Sequence, residues 1–136
     1  MPNMPHETRV RVRYSETDRM GYVYYANYLV YFEIGRTEQL REIGIRYRDL
    51  EDRGYALVVI EADLKYASPG RYDEELTITT RLLNTTRVRL THEYEIRGDD
   101  DRLVCTGHTV LACLGPDGRP ARLPEDLSAL VVGSQP

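Results

Sequence analysis

Asn27-Tyr-Leu-Val-Tyr-Phe-Glu-Ile-Gly-Arg-Thr-Glu-Gln-Leu-Arg-Glu-Ile43, followed by Gly44, is the segment on which the reading of the fold turns. Leu29, Phe32, Arg36, Leu40 and Ile43 recur at helical spacing, and Gly44 is a natural stop, so the spacing predicts a helix over Asn27–Ile43. At about 1.5 Å per residue it is roughly 25 Å long. Its first half is apolar nearly all round, which requires cover on more than one side. Gly35, in the middle, would let another backbone approach at a cost in helix propensity.

Working outward, the period changes from helical to two. Before the helix, Thr8-Arg-Val-Arg-Val-Arg-Tyr14 alternates as a half-exposed strand does. After it comes a short polar helix over Arg46–Arg53. Four strands follow, the first with Ala56, Val58, Ile60, Ala62, Leu64 and Tyr66 on one face. In the next two, Leu76, Ile78, Thr80 and Leu82 share a face, and so do Val88, Leu90, His92, Tyr94 and Ile96. The last runs over Leu103–Leu114 and is apolar on both faces. Pro69-Gly70, Gly98–Asp101 and Gly115–Gly118 are turns, and Pro124–Leu130 is a final short helical turn. Successive strands without helical crossovers argue for an antiparallel sheet, and the long helix must be what it packs on. The expectation is an α+β fold, a curved antiparallel sheet of about five strands wrapped around one helix. It forms a single domain over residues 8–131, with 1–7 and 132–136 as flexible termini. One sheet and one helix leave edges and a face unburied, which predicts a homo-oligomer.

The chain has 136 residues, a formal charge of −4 and a pI near 5.4. That charge gives no general attraction to phosphate backbones, so nucleic acid is not an expected partner. Arg9, Arg11 and Arg13 on one strand face read as a solvated stripe. No apolar run approaches the roughly 18 residues of a membrane span and no signal peptide is evident, so the expected location is cytoplasmic, without membrane insertion. Cys105 and Cys113 share one strand, some 26 Å apart at about 3.3 Å per residue, too far to pair. No phosphate loop, nucleophile elbow, His-x-x-x-His or Cys-x-x-Cys occurs, so no metal and no cofactor is expected. His92 reads as a core histidine with one satisfied ring nitrogen, and His108 as more open but structural.

Six of the eleven tyrosines lie between Tyr14 and Tyr31, around one carboxylate, Asp18. Asp in such a loop is most often a turn or capping residue, but Asp18 is too far before Asn27 to cap the helix. The segment Tyr14-Ser-Glu-Thr-Asp18-Arg-Met-Gly21-Tyr-Val-Tyr-Tyr25-Ala-Asn-Tyr28 resembles the signature of the 4-hydroxybenzoyl-CoA thioesterase family of hotdog-fold proteins. The match includes the spacing of Tyr14, Thr17, Asp18, Gly21, Val23, Asn27 and Tyr28. Weaker similarity continues through Tyr66, Pro69, Tyr72 and Tyr94, covering about residues 8 to 125.

The resemblance implies hydrolysis of acyl-CoA thioesters, with Asp18 as nucleophile or general base. The helix start near Tyr25 would supply a backbone N–H to polarise the carbonyl. Many members of that family carry His where this chain has Tyr25, which leaves the role there to the backbone. Tyr14, Asp18, Gly21 and Tyr25 form the catalytic set so implied. Tyr24, Asn27 and Tyr28 are assigned to substrate, with Arg87 and Arg89 as contacts for the CoA phosphates. A dimer of dimers is the implied assembly. Two other readings stand beside this one: a hotdog module that binds acyl-CoA without turning it over, and a hotdog dehydratase or hydratase, which needs a general acid/base pair, commonly His with Asp or Glu, whereas no histidine lies near Asp18 in sequence.

Overall fold

The computed structural model describes residues 5–127, apart from the side chains of residues 84 and 85. The order is β1 (His6–Arg11), a 3₁₀ turn (Tyr14–Glu16), α1 (Asn27–Glu42), α2 (Tyr47–Asp52), β2 (Ala56–Tyr66), β3 (Glu75–Thr85), β4 (Arg89–Arg97) and β5 (Leu103–Leu114). The strands form one antiparallel sheet in the order β1-β3-β4-β5-β2, with α1 packed on one face. This is the expected architecture. Residues 125–127 are helical, and the rest of the expected final turn lies outside the described residues.

Two groups of side chains fill the space between helix and sheet. Tyr28, Tyr31 and Phe32 of α1 meet Leu76, Ile78, Tyr94, Ile96 and Val104 at one end. Leu40, Leu50, Leu57, Leu82, Leu90 and Leu111 meet at the other. Cys105 lies in the first group and Cys113 in the second, both buried and unpaired. Phe32 stacks on Tyr94 with ring centroids 4.2 Å apart. Gly35 is where the helix comes nearest the sheet: a Cβ there would collide with Thr80 Oγ1 and lie 2.9 Å from Ile78 Cγ2. The close neighbours at Gly35 are thus β3 side chains, not a second backbone.

Several local expectations need correction. The buried stripe of α1 is Tyr28, Tyr31, Phe32, Gly35, Gln39 and Leu40. Leu29 and Ile43, assigned to that stripe, are exposed. An apolar helix surface does not say which part the sheet takes, and here Gly35 decides it. β2 carries a bulge between Val59 and Glu61, so Leu57 faces the core while Val58, two residues before Ile60, is exposed. A bulge moves later residues to the opposite face, so one alternation cannot hold across it. β1 begins two residues before the expected domain start, since His6 and Glu7 pair with Thr80 and Thr79. It ends at Arg11, because the chain turns into the 3₁₀ segment three residues later.

His92 is buried as expected, but its Nδ1 has no hydrogen-bond partner among the described residues. His108 lies on the outer face between Asp63, 3.1 Å from Nδ1, and Glu93, 3.6 Å from Nε2. Within the described residues, no helix is long and apolar enough to cross a membrane.

Candidate active site

Asp18 closes its own turn. Its Oδ1 accepts the N–H groups of Met20 (2.9 Å) and Tyr22 (3.2 Å), its carbonyl accepts Gly21 N–H (3.0 Å), and its N–H donates to Tyr22 O (2.8 Å). Gly21, at φ +76°, supplies the left-handed conformation that the turn needs and that a side chain would disfavour. The loop reading of Asp18 is therefore correct as far as Oδ1 goes. Oδ2 has no hydrogen-bond partner among the described residues.

The turn is tied to the start of α1 through Glu16. The Glu16 carbonyl accepts both Tyr24 N–H (2.8 Å) and the Asn27 side-chain amide (2.9 Å). Its carboxylate accepts the Arg13 N–H (2.9 Å) and the Tyr31 hydroxyl (3.0 Å). Burial alone would raise the Glu16 pKa, but those two hydrogen bonds and the Arg13 charge outweigh it and hold the carboxyl below its ordinary value. Asn27 N–H donates to Tyr24 O (2.8 Å), while the N–H groups of Tyr25 and Ala26 have no acceptor among the described residues. A helix start with free N–H groups carries partial positive charge.

Asp18 and Tyr25 open on one cavity of about 420 Å³, lined also by Tyr22, Val23, Tyr28, Tyr66, Ala67, Ser68 and Pro69. Tyr28 is buried at its floor, where its hydroxyl accepts Gly70 N–H (3.1 Å); burial raises its pKa. The Tyr66 hydroxyl donates to Tyr25 O (3.3 Å), which fixes the peptide next to the free N–H groups. The far wall, Ser68-Pro69, is held by Arg102. Its Nε donates to Ser68 Oγ (3.0 Å) and one terminal nitrogen to Pro69 O (3.0 Å), while the same nitrogen pairs with buried Glu74 (3.1 Å).

Of the residues assigned from sequence, the structure brings Asp18, Tyr25 and Tyr28 to this cavity and places Gly21 in the Asp18 turn. Tyr14 is 79% exposed and packs edge-on against Tyr72, away from the lining. Tyr24 leans on Tyr25, with centroids 4.7 Å apart. Asn27 spends its amide on Glu16. Arg87 and Arg89 lie outside the cavity: Arg89 pairs with Ala112 of β5, whereas Tyr66 pairs with Cys105. Seven residues of strand separate those points, about 23 Å. Sequence reasoning missed Tyr66, Ser68 and Pro69 as lining, and Arg102 and Glu74 as their support. Tyr66 entered only as a strand residue and Pro69 as part of a turn, both also as points of weaker similarity, and nothing marked Ser68.

The thioesterase-like superfamily model matches residues 12–131. The chain belongs to the thioesterase-like superfamily. The acyl-CoA thioester hydrolase YbgC of Escherichia coli is 31% identical over 121 residues, 88% of this chain and 90% of that protein. YneP of Bacillus subtilis is 37% identical over 87 residues, 64% of this chain and 63% of its own length. A DHNA-CoA thioesterase from Staphylococcus aureus has the same fold at TM-score 0.91 and 30% identity, covering 95% of this chain and 89% of that one. The superfamily's hotdog fold is the sheet and helix described above.

Proposed function

We propose that this chain is an acyl-CoA thioester hydrolase of the kind that the Tyr14–Tyr28 resemblance implies. The observation that carries the proposal is a carboxylate, Asp18, held among the described residues through one oxygen, on the same cavity as a helix start whose Tyr25 N–H has no acceptor among them. The names of YbgC and of the Staphylococcus aureus enzyme support thioester chemistry.

The thioester carbonyl oxygen would sit at the Tyr25 N–H, where negative charge develops as the carbon is attacked; one such donor is typically worth about 10²–10³ in rate. As general base, Asp18 takes a proton from water while the oxygen of that water bonds to the acyl carbon. Collapse breaks the C–S bond and releases the thiolate. As nucleophile, Asp18 itself bonds to the acyl carbon and expels the thiolate, and water then cleaves the mixed anhydride. A thiol with pKa near 8.5 leaves without a strong general acid. No histidine lines this cavity among the described residues, in keeping with hydrolysis rather than hydration. Arg87 and Arg89 remain the proposed phosphate contacts, reached by the long pantetheine arm of CoA from Asp18.

The functional form is proposed to be a cytoplasmic homo-oligomer, a dimer of dimers. Val58, Val59 and Ile60 are exposed in succession on β2, an edge strand, and Leu29 and Val30 are exposed on α1. An exposed apolar edge of this kind is usually covered. Thiol release from a panel of aromatic and aliphatic acyl-CoA esters tests the proposal. Turnover of at least one class is expected, and tight binding without thiol release would favour the non-catalytic module.

A further inference from the structure

Between the second half of α1 and the sheet lies another enclosed space, about 80 Å³, which shares no lining residue with the Asp18 cavity. Its apolar walls are Leu40, Leu57, Leu90 and Leu111, and Arg36 and His92 interrupt them, with Thr37, Tyr47 and Glu33 completing the lining. A void of about 10 Å³ on the other side shares Leu40, Leu90 and His92. The imidazole is 1% exposed and its Nδ1 is unpartnered among the described residues. Buried polar atoms are normally satisfied, so an orphan beside a cavity calls for a ligand or water.

Arg36 is half-buried and makes no ion pair among the described residues, whereas Arg41, one turn on, pairs with Glu38. Its charge reaches the buried groups behind it: after burial it is the second cause that lowers the His92 pKa, and through its charge and a side-chain hydrogen bond it opposes the rise that burial imposes on Tyr94. Glu33, at the same mouth, is exposed, where solvent screens it. A guanidinium without an ion pair among the described residues, next to a neutral imidazole and four leucines, complements an anionic head on a short alkyl tail, since Arg binds carboxylates through paired N–H donors. We propose that this space is a binding site for a short-chain monocarboxylate, its head on Arg36 and His92 and its alkyl end among the leucines. The site does not use Asp18 and stands or falls apart from the thioesterase reading.

Calorimetric and NMR titration of the full chain with butyrate and with 1-butanol tests this. Saturable binding of one butyrate per chain is expected, preferred over butanol by about tenfold or more because the anion makes charge-assisted bonds. The His92 ring resonances should move with saturation. Arg36→Gln should erase the preference, Arg36→Lys should retain part of it, and Leu111→Phe should weaken both ligands by filling the space, each with an unchanged fold by circular dichroism. Equal affinity for the two ligands, an unaltered preference in Arg36→Gln, or the absence of saturation at tens of millimolar would each overturn the proposal. So would binding that shifts the Asp18 loop and leaves His92 unmoved.

Discussion

Replacing Arg102 by Met should destabilise the protein more than any other surface-reachable arginine substitution. One terminal nitrogen of Arg102 lies 3.1 Å from both carboxylate oxygens of Glu74, whose side chain is 8% exposed, while that of Arg102 is 27% exposed. Removing one partner of a buried pair costs about 3–5 kcal/mol because the other charge stays buried. Glu74 keeps two backbone donors, Arg71 N–H (3.1 Å) and Asp99 N–H (3.2 Å), and Arg102 is partly hydrated, so the low end applies, about 3 kcal/mol. For a chain of this length that is a fall in Tm of roughly 10 °C. Denaturant and thermal unfolding of Arg102→Met, Glu74→Gln and the double variant measure it. The double variant should recover about 2 kcal/mol relative to the sum of the singles, the coupling of a charge pair removed together. A loss under about 1 kcal/mol in Arg102→Met would refute the reasoning and rank this pair with ordinary surface ion pairs.

Tyr25→Phe should keep most of the thioesterase activity, whereas Tyr25→Pro, which removes the N–H, should lose it while remaining folded by circular dichroism; equal losses would move the role to the hydroxyl. Burial, with a smaller part from the Arg36 charge, lowers the His92 pKa to about 3 from an ordinary 6.5. The unfolded chain therefore binds a proton that the folded chain refuses, and the stability His92 contributes, full above pH 6.5, is lost as pH falls towards 3. His92→Leu should flatten that part of the stability profile in urea titrations, and an unchanged slope would contradict it. Val59→Lys, on the exposed β2 edge, should shift sedimentation towards smaller species without unfolding the chain. A wild-type chain already monomeric at micromolar concentration would defeat the proposed assembly.

Periodicity made the sheet legible wherever one rule ran the length of a strand. In β3 and β4, Leu76, Ile78, Thr80, Tyr94 and Ile96 all fall on the buried face that their alternation implies. It failed at the β2 bulge, because a bulge is a backbone event that Val58-Val59-Ile60 does not announce. It failed on α1 for another reason: apolar residues on every side leave the buried stripe to the close approach at Gly35. At the site, Asp18, Gly21 and Tyr25 were legible because one loop carries them. Ser68 and Pro69 were not, since they arrive from a turn some fifty residues away. Arg102 and Glu74 were hidden among other arginines and acids, and burial alone distinguishes them.

The most direct test of the proposed chemistry is kcat of Asp18→Asn on the best acyl-CoA substrate, measured with affinity and Tm. The Asn carbonyl can still accept the Met20 and Tyr22 N–H groups, so the turn and Tm should hold. Only the charge and the second oxygen's basicity are lost. The account predicts a fall in kcat of at least about 10²-fold with affinity unchanged or improved. Near-normal turnover in a normally stable Asp18→Asn protein would contradict it and leave Asp18 as a loop residue alone.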